Sequence, residues 1–282
     1  MPDEAAGLLD RVRIVLVEPK QAGNIGSIAR AMRNAGLSRL YLVNPGADHT
    51  SGDGRKMAVG AGDILYRARV VDSIEEAVDG TVLVVGTSHK TRKDFPVVYG
   101  PTEVANRLVS IPGESEGALI FGREERGLTN REIQLCQIIT RIPSARTYPS
   151  YNLSQAVLIF GYELHKAAMH PPEVPDWDLA PFGQLEAMYH HLAQSLDNLG
   201  FKSPHRPETF IRSVRRFFGR IPLEKRDVST VHRICRQVDR FIGKHGIPLP
   251  GEPGQMTRAN EQIRQDNEPM GQVNEPIKKE NE

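Results

Sequence analysis

Short apolar runs alternate with amphipathic segments along the first 170 residues of the chain. Strands are predicted for the runs "RIVLVEP" (13–19), "RLYLVNP" (39–45), "TVLVVGTS" (81–88), "GALIFG" (117–122) and "QIITRIP" (137–143), with a short strand near 68–71. Apolar positions at helical spacing predict helices over 24–35, 73–80, 101–110, 129–136 and 152–169, and small residues after position 52 predict one more. Such alternation is typical of an α/β domain with a mainly parallel sheet.

The pattern changes after residue 170. The stretch "HPPEVPDWD" (170–178) is rich in Pro and acidic residues and has no periodicity, which is typical of a linker. Helical patterns return near 182–199, 207–219 and 227–244, and the polar segment from Gly251 to the end is predicted to be disordered. We therefore divide the chain into an α/β domain (1–170), a linker (171–181), a small helical domain (182–246) and a tail (247–282).

The helical part carries a one-sided charge. The whole chain has a net charge of +1, but from Lys202 to Lys244 there are twelve Lys and Arg residues against four Asp and Glu. An excess of one sign favours a polyanion such as RNA, whereas the ordinary alternative is a solvated helix face. The candidate phosphate contacts are Arg212, Arg215, Arg216, Arg220, Arg233 and Arg236.

Several classes of protein lose support. The N-terminus is acidic and has only a short apolar run, so neither a signal peptide nor a membrane span is expected. Cys136 and Cys235 lack metal-ligand spacing, and reduced thiols in the cytoplasm are the simplest expectation, with no metal. The sequence contains no GxGxxG, no GxxxxGK[ST] and no HExxH, which weakens the common nucleotide-binding and zinc-hydrolase interpretations.

The segment "NIGSIARAMRNAG" (24–36) predicts an amphipathic helix with one unusual residue. Asn24 is expected to cap its first turn. On a helical wheel, Arg30 lies roughly 140° from Ile25 and therefore points away from the apolar stripe.

Three further polar segments follow predicted strands, where open α/β sheets bind ligands. They are "GTSHKTR" (86–92), "FGREERGLTNRE" (121–132) and "IPSARTYPSYNLSQA" (142–156). Each has an ordinary alternative. Gly122 suits either a close ligand or a simple turn, "REER" is typical of a solvated loop, and Asn152 and Ser154 are also common helix caps.

Taken in order, these segments resemble the three motifs of the SPOUT methyltransferases, and in particular the TrmH-type branch that methylates ribose 2′-hydroxyls. "GNIGSIARAMRNAGLSRLYLVNP", "VVGTS" and "LIFGREERGLTN" are similar to tRNA (cytidine/uridine-2′-O)-methyltransferases that act in the anticodon loop. The resemblance covers about residues 11–170 and, more loosely, the helical domain. It implies a sheet closed by a C-terminal trefoil knot, a homodimer, S-adenosyl-L-methionine as cofactor and tRNA as partner, with nucleotide 32 as the target.

The resemblance also implies roles for individual residues. The expected cofactor contacts are Thr87, Ser88, His89, Gly122, Ile142, Pro149, Ser150, Tyr151, Asn152 and Ser154. The expected catalytic residues are Arg30, Asn24, Ser150, Asn152 and Glu124. Because a guanidinium stays protonated, we expect Arg30 to stabilise the developing alkoxide and to hold a phosphate rather than to act as a base.

Some alternatives stay open at this point. Tyr151 stands where a smaller aliphatic residue is usual, and it either packs on the cofactor or fills the core. The substrate is alternatively ribosomal RNA or another tRNA position. A non-catalytic RNA-binding protein on the same fold is a second possibility, and a third is an α/β enzyme that binds the phosphate of a small nucleotide or sugar at a helix N-terminus.

Overall fold

The computed structural model describes residues 2–90, 98–145, 150–173, 175–201, 207–219 and 221–245. Within these ranges one seven-stranded sheet has the order β3-β2-β1-β6-β4-β7-β5. Its strands are β1 (Val12–Val17), β2 (Arg39–Val43), β3 (Arg69–Val71), β4 (Thr81–Thr87), β5 (Val98–Tyr99), β6 (Glu116–Phe121) and β7 (Ile138–Thr140). Every neighbouring pair is parallel, which confirms the predicted sheet.

The helices surround this sheet and continue beyond it. They are α1 (Pro2–Leu9), α2 (Ala22–Ala35), α3 (Gly52–Met57), α4 (Gly62–Arg67), α5 (Ile74–Ala77), α6 (Pro101–Val109), α7 (Asn130–Gln134), α8 (Leu153–Met169), α9 (Phe182–Asn198), α10 (Pro207–Phe218) and α11 (Lys225–His245). The sequence pattern did not predict α1 or the two-residue strand β5. Two short helices, α3 and α4, stand where one small-residue helix was expected.

The alternation along β1 explains the layering. Ile14 and Leu16 face a core shared with α2, α6 and α8, whereas Val15 and Val17 face a second core that α5 and α7 cover. Successive side chains of a strand point to opposite faces, so a strand covered on both sides must be apolar throughout. The unbroken run of apolar residues in β1 therefore follows from its place inside the sheet.

The N-terminus of α2 differs from the prediction. The helix begins at Ala22, and Gln21 occupies the cap position without a side-chain hydrogen bond. Asn24 is therefore not the cap, because the chain already leaves β1 through a left-handed residue, Glu18 (φ 46°), and enters the helix early. This places the Asn24 amide on the first turn, where it is available to other elements.

The helical domain docks at the amino ends of the central strands. Its small core contains Leu185, Met188 and Val228, while Phe182 is buried in the second core of the sheet. Leu179 and Ala180 are also buried, so the last part of the predicted linker is packed structure. A Cβ atom on Gly219 would lie 3.1 Å from the Gln137 carbonyl oxygen, which shows how closely α10 approaches the start of β7.

Two predictions fall outside the described residues. The tail over 247–282 and residues 146–149 between β7 and α8 are not described, so the trefoil knot stays a prediction. Among the described helices, none combines the length and the hydropathy that a membrane crossing requires.

Candidate active site

Two cavities lie at opposite ends of the sheet. The amino-end cavity, about 450 Å³, lies at the amino ends beside α6 and the helical domain, and its walls are mainly apolar. Its polar side chains include Gln137, which bonds to Val84 N (2.6 Å) and Val82 O (3.2 Å), and Arg107, which lies over the Tyr99 ring. Ligands of parallel sheets bind at the carboxyl ends, so the cleft at that end is the candidate site.

This cleft gathers most of the predicted cofactor residues. Thr87, Ser88 and His89 line it from the end of β4, together with Gly122, Ile142, Ser150 and Tyr151. Asn152 lines an adjoining pocket with Glu124, whereas Ser154 lines neither, and Pro149 lies outside the described residues. The sequence analysis missed the apolar wall formed by Phe121, Leu128, Leu153 and Phe160.

Hydrogen bonds between strand ends fix the mouth of the cleft. Thr87 Oγ1 donates to Ile120 O at 3.0 Å, and the Ser88 amide donates to Thr140 O at 3.0 Å. Asn152 caps α8, because its Oδ1 accepts from the Ser154 amide (2.9 Å) and the Ser154 hydroxyl (2.7 Å). The capping interpretation is therefore confirmed for Asn152, whereas Ser154 lies in the first turn of α8 and donates to the cap.

Position 122 requires glycine because the backbone of the same loop packs against it. A Cβ atom at this position would lie 2.2 Å from both Gly127 C and Leu128 N, which no side chain allows. The loop after Gly122 turns back on itself. Gly127 is in the left-handed region (φ 67°), and its amide donates to Arg123 O at 2.8 Å. The close approach thus involves the chain's own backbone, and contact with a cofactor stays a prediction.

Arg123 is not a solvated loop residue, contrary to the typical interpretation of "REER". Its guanidinium donates to both carboxylate oxygens of Glu18, with 2.7 Å from Nε to Oε2, and to Glu132 at 3.0 and 3.1 Å. The hydrogen bond from Arg123 lowers the pKa of Glu18, and the two carboxylates raise the pKa of Arg123. Neither Glu18 nor Arg123 was singled out from the sequence.

Glu124 meets Asn24 at the edge of the cleft. Asn24 Nδ2 lies 3.4 Å from Glu124 Oε1, so two predicted catalytic residues that are distant in sequence come together. Glu124 Oε2 is buried and has no hydrogen-bond partner among the described residues. A buried carboxylate oxygen without a donor is costly, so Glu124 Oε2 is a candidate contact for a ligand.

Arg30 is placed differently. It is exposed on α2, as the wheel predicted, and within the described part of the chain it has no hydrogen-bond or ion-pair partner. It is not among the residues that line the cleft of its own chain. Its guanidinium is therefore available to a molecule above the outer face of α2.

Tyr151 does not fill the core. Its side chain is 40% exposed, it lines the cleft, and its hydroxyl donates to Pro143 O at 3.1 Å. The core-filling alternative is wrong, because this hydrogen bond holds the ring over the cleft and ties the loop before α8 to the segment after β7.

The predicted RNA-binding arginines fall into two groups. Arg215 donates to Glu186 through its two terminal nitrogens, Nη1 and Nη2, and lies over the Tyr189 ring, so it stabilises the helical domain. Arg216, Arg233 and Arg236 are exposed, Arg212 is half-buried, and Arg220 is outside the described residues. Arg240 and Lys244, which the prediction did not include, are also exposed on α11.

The described residues contain no group of three or more His, Cys, Asp or Glu side chains that could hold a metal ion. Both cysteines are buried, and burial raises the pKa of each thiol.

Comparison with known proteins gives consistent matches over both domains. Residues 11–162 match the model of the SpoU rRNA methylase family, and residues 183–246 match that of the tRNA methyltransferase TrmJ, C-terminal domain. The chain is 38% identical to the tRNA (cytidine/uridine/adenosine-2′-O-)-methyltransferase TrmJ of Pseudomonas aeruginosa, over 83% of this chain and 95% of that protein. It is 38% identical to the tRNA (cytidine/uridine-2′-O-)-methyltransferase TrmJ of Pectobacterium atrosepticum, over 83% and 98%. The crystal structure of TrmJ from Z. mobilis superposes with a TM-score of 0.69 at 30% identity, covering 80% of this chain and 98% of that one.

Proposed function

Since the chain belongs to the SpoU rRNA methylase family, we propose that it transfers a methyl group from S-adenosyl-L-methionine to the ribose 2′-hydroxyl of a cytidine or uridine in tRNA. The observation that carries this proposal is the match to tRNA 2′-O-methyltransferases over both domains and almost their full length. We further propose nucleotide 32 of the anticodon loop as the target, on the resemblance of the motifs. A tRNA substrate also agrees with the predicted cytoplasmic location.

The cleft suits this cofactor. Its apolar wall offers a face for the adenine ring, and the hydroxyl and backbone groups of Thr87 and Ser88 lie at its mouth. The unpartnered Glu124 Oε2 requires a cation or a donor, and the cofactor and the ribose hydroxyl together supply both. When bound, S-adenosylmethionine supplies an electrophilic methyl group, and the protein must position the ribose oxygen and stabilise its charge.

Arg30 performs the electrostatic part of this task. Its guanidinium is free of partners among the described residues, so it stabilises the alkoxide that develops on the 2′-oxygen. Its remaining donors hold an adjacent phosphate. Asn24 and Glu124 orient the ribose hydroxyl at the edge of the cleft.

A homodimer explains why Arg30 does not line the cleft of its own chain. The outer face of α8 exposes Leu158 (47%), Tyr162 (60%) and Met169 (47%), an apolar strip on the helix that packs against α2. We propose that a second copy of the chain covers this strip and that Arg30 acts at the partner's cleft. Replacing Leu158 and Tyr162 by Glu is expected to yield monomers in sedimentation analysis and to abolish methyl transfer.

The deciding experiment measures transfer of labelled methyl groups from S-adenosylmethionine to total tRNA, followed by mapping of the modified nucleotide. Methylation at nucleotide 32 is expected. Label at another nucleotide, or in ribosomal RNA only, contradicts the target. Binding of tRNA without methyl transfer favours the non-catalytic alternative. S-adenosylhomocysteine is expected to raise the Tm, because a ligand that binds only the native state stabilises it.

A further inference from the structure

We propose that Arg123 is a positioning residue for methyl transfer: its ion pairs with Glu18 and Glu132 form a clamp that fixes Glu124 and Asn24 relative to each other. The inference rests on the proposed function and adds a residue that acts on the site from outside it. The clamp is defined as the side chains of Glu18, Arg123 and Glu132.

The donors of Arg123 are committed to the protein. Nε and Nη2 donate to Glu18, while Nη1 and Nη2 donate to Glu132, so four of its five N–H groups are engaged. The side chain is only 16% exposed. Bidentate pairs of this kind are geometrically specific. Arg123 therefore has little capacity to bind a substrate, and its effect must pass through its neighbours.

The clamp joins three elements that carry the site. Glu18 directly follows β1, just before the segment that leads into α2 and Asn24. Arg123 follows β6 and directly precedes Glu124. Glu132 belongs to α7, where it also closes the capping box with the Thr129 amide at 2.7 Å.

The contact that the clamp supports is weak on its own. Asn24 Nδ2 and Glu124 Oε1 are 3.4 Å apart, near the limit of a hydrogen bond, and Glu124 Oε2 has no described partner. Without an external support, a half-satisfied carboxylate would turn toward water. Asn24 follows Glu18 in the chain, and Glu124 follows Arg123. The four hydrogen bonds of the clamp therefore hold the contact between Asn24 and Glu124 in place.

Lysine cannot replace arginine in this arrangement, because an ammonium group lacks the planar fork that meets two carboxylates at once. We therefore compare Arg123→Gln and Arg123→Lys with Arg131→Gln. Arg131 is an exposed arginine on α7 and serves as the matched control. Kinetics are measured below the Tm of every variant, with circular dichroism to confirm folding.

Arg123→Gln is expected to lower kcat about 10- to 100-fold, the scale of a small misplacement of reacting groups, with KM for tRNA changed by less than about twofold. Arg123→Lys is expected to recover only part of kcat, and Arg131→Gln to behave as wild type. Unchanged kcat in Arg123→Gln, or a change confined to KM for tRNA, would overturn the proposal.

A double variant separates positioning from simple stability. Arg123→Gln leaves two carboxylates facing each other, and adding Glu132→Gln removes that repulsion without restoring the clamp. We expect the double variant to recover Tm but not kcat. Recovery of kcat together with Tm would show that Arg123 acts only through stability.

Hydrogen exchange tests the clamp independently of catalysis. In Arg123→Gln, amides in 18–24 and in 122–128 are expected to exchange faster together, and in Arg131→Gln neither segment changes. Loosening of only one segment refutes the clamp even if methyl transfer is established. If wild type transfers no methyl group, the proposed function fails, and this exchange pattern still decides whether the clamp exists.

Discussion

The two ends of the parallel sheet carry cavities of opposite character. At the amino ends, a cavity of about 450 Å³ is walled mainly by apolar residues, and Gln137 and Arg107 are already engaged there. At the carboxyl ends, the cleft and its adjoining pocket have more polar walls and contain the unpartnered buried oxygen Glu124 Oε2. Volume does not separate the two ends, because the adjoining pocket at the carboxyl ends measures about 590 Å³; the polar side chains that converge there distinguish the candidate site.

The difference follows from how the chain uses each end. The amino ends receive the helical domain, which needs apolar contacts such as those of Phe182 and Leu179. The carboxyl ends receive loops that must leave donors and acceptors free for a ligand. The following predictions distinguish chemistry at one end from stability at the other.

The largest expected effect is on Arg30. Arg30→Ala is expected to reduce kcat by about 10²–10³, the usual loss when one preorganised donor to a developing oxyanion is removed. The shift in Tm caused by S-adenosylhomocysteine is expected to stay unchanged, because Arg30 does not line the cofactor cleft of its chain. The control is Arg33→Ala on the same helix as Arg30, which removes an exposed ion pair with Asp63 of α4. Near-full activity of Arg30→Lys would contradict a role that depends on the guanidinium fork.

The exposed arginines of the helical domain should act on affinity instead. Replacing Arg216, Arg233 and Arg236 by Gln is expected to raise KM for tRNA about tenfold and to leave kcat at saturating tRNA unchanged. The slope of log affinity against log salt concentration should become shallower by about 2–3 if each arginine contacts one phosphate. An unchanged salt dependence would mean that these arginines do not contact phosphates and belong to an ordinary solvated helix face.

A change at the amino ends should affect stability alone. Leu179 is 9% exposed, belongs to the main core and lines the amino-end cavity. Leu179→Ala is expected to cost about 2–3 kcal/mol of unfolding free energy and to lower the Tm by about 5–10 °C. The kcat measured well below the Tm should match wild type. A loss of kcat in the folded variant would mean that the two ends of the sheet are coupled.

The sheet could be predicted from the sequence because strands buried on both faces leave an unambiguous apolar signal. The run "RIVLV" is such a case, whereas β5 contains only two residues, too few for any period to show. The error at Asn24 has a tertiary cause, since the exit of the chain from β1 at Glu18 decides where α2 begins. Local capping rules do not contain that information.

The candidate site was predictable in part for a similar reason. Most of the residues named by resemblance line one cleft, but the pattern "REER" could not show that Arg123 is held between Glu18 and Glu132, because Glu18 is distant in sequence. The six arginines of the helical domain were also indistinguishable in the sequence. Only the packing of Arg215 against Glu186 and Tyr189 separates it from its exposed neighbours.

The smallest expected effect concerns pH and the helical domain. His191 Nδ1 lies 2.7 Å from His232 Nδ1, and His191 Nε2 lies 3.0 Å from Asp239 Oδ2, so a polar chain links α9 to α11. Burial, together with the charges of His191 and Arg236, lowers the pKa of His232. The folded state therefore binds this proton less readily than the unfolded chain does, and stability must fall as the pH drops through the unfolded value near ~6.5.

We expect the Tm to fall as the pH is lowered from about 7.5 to about 5.5, through the unfolded-state pKa of histidine. His232→Gln should flatten this decrease, because glutamine does not titrate. His190→Gln, at an exposed position of α9, should retain it. If His232→Gln keeps the wild-type slope, the acid sensitivity arises elsewhere, and the polar contact between the two helices does not respond to protons.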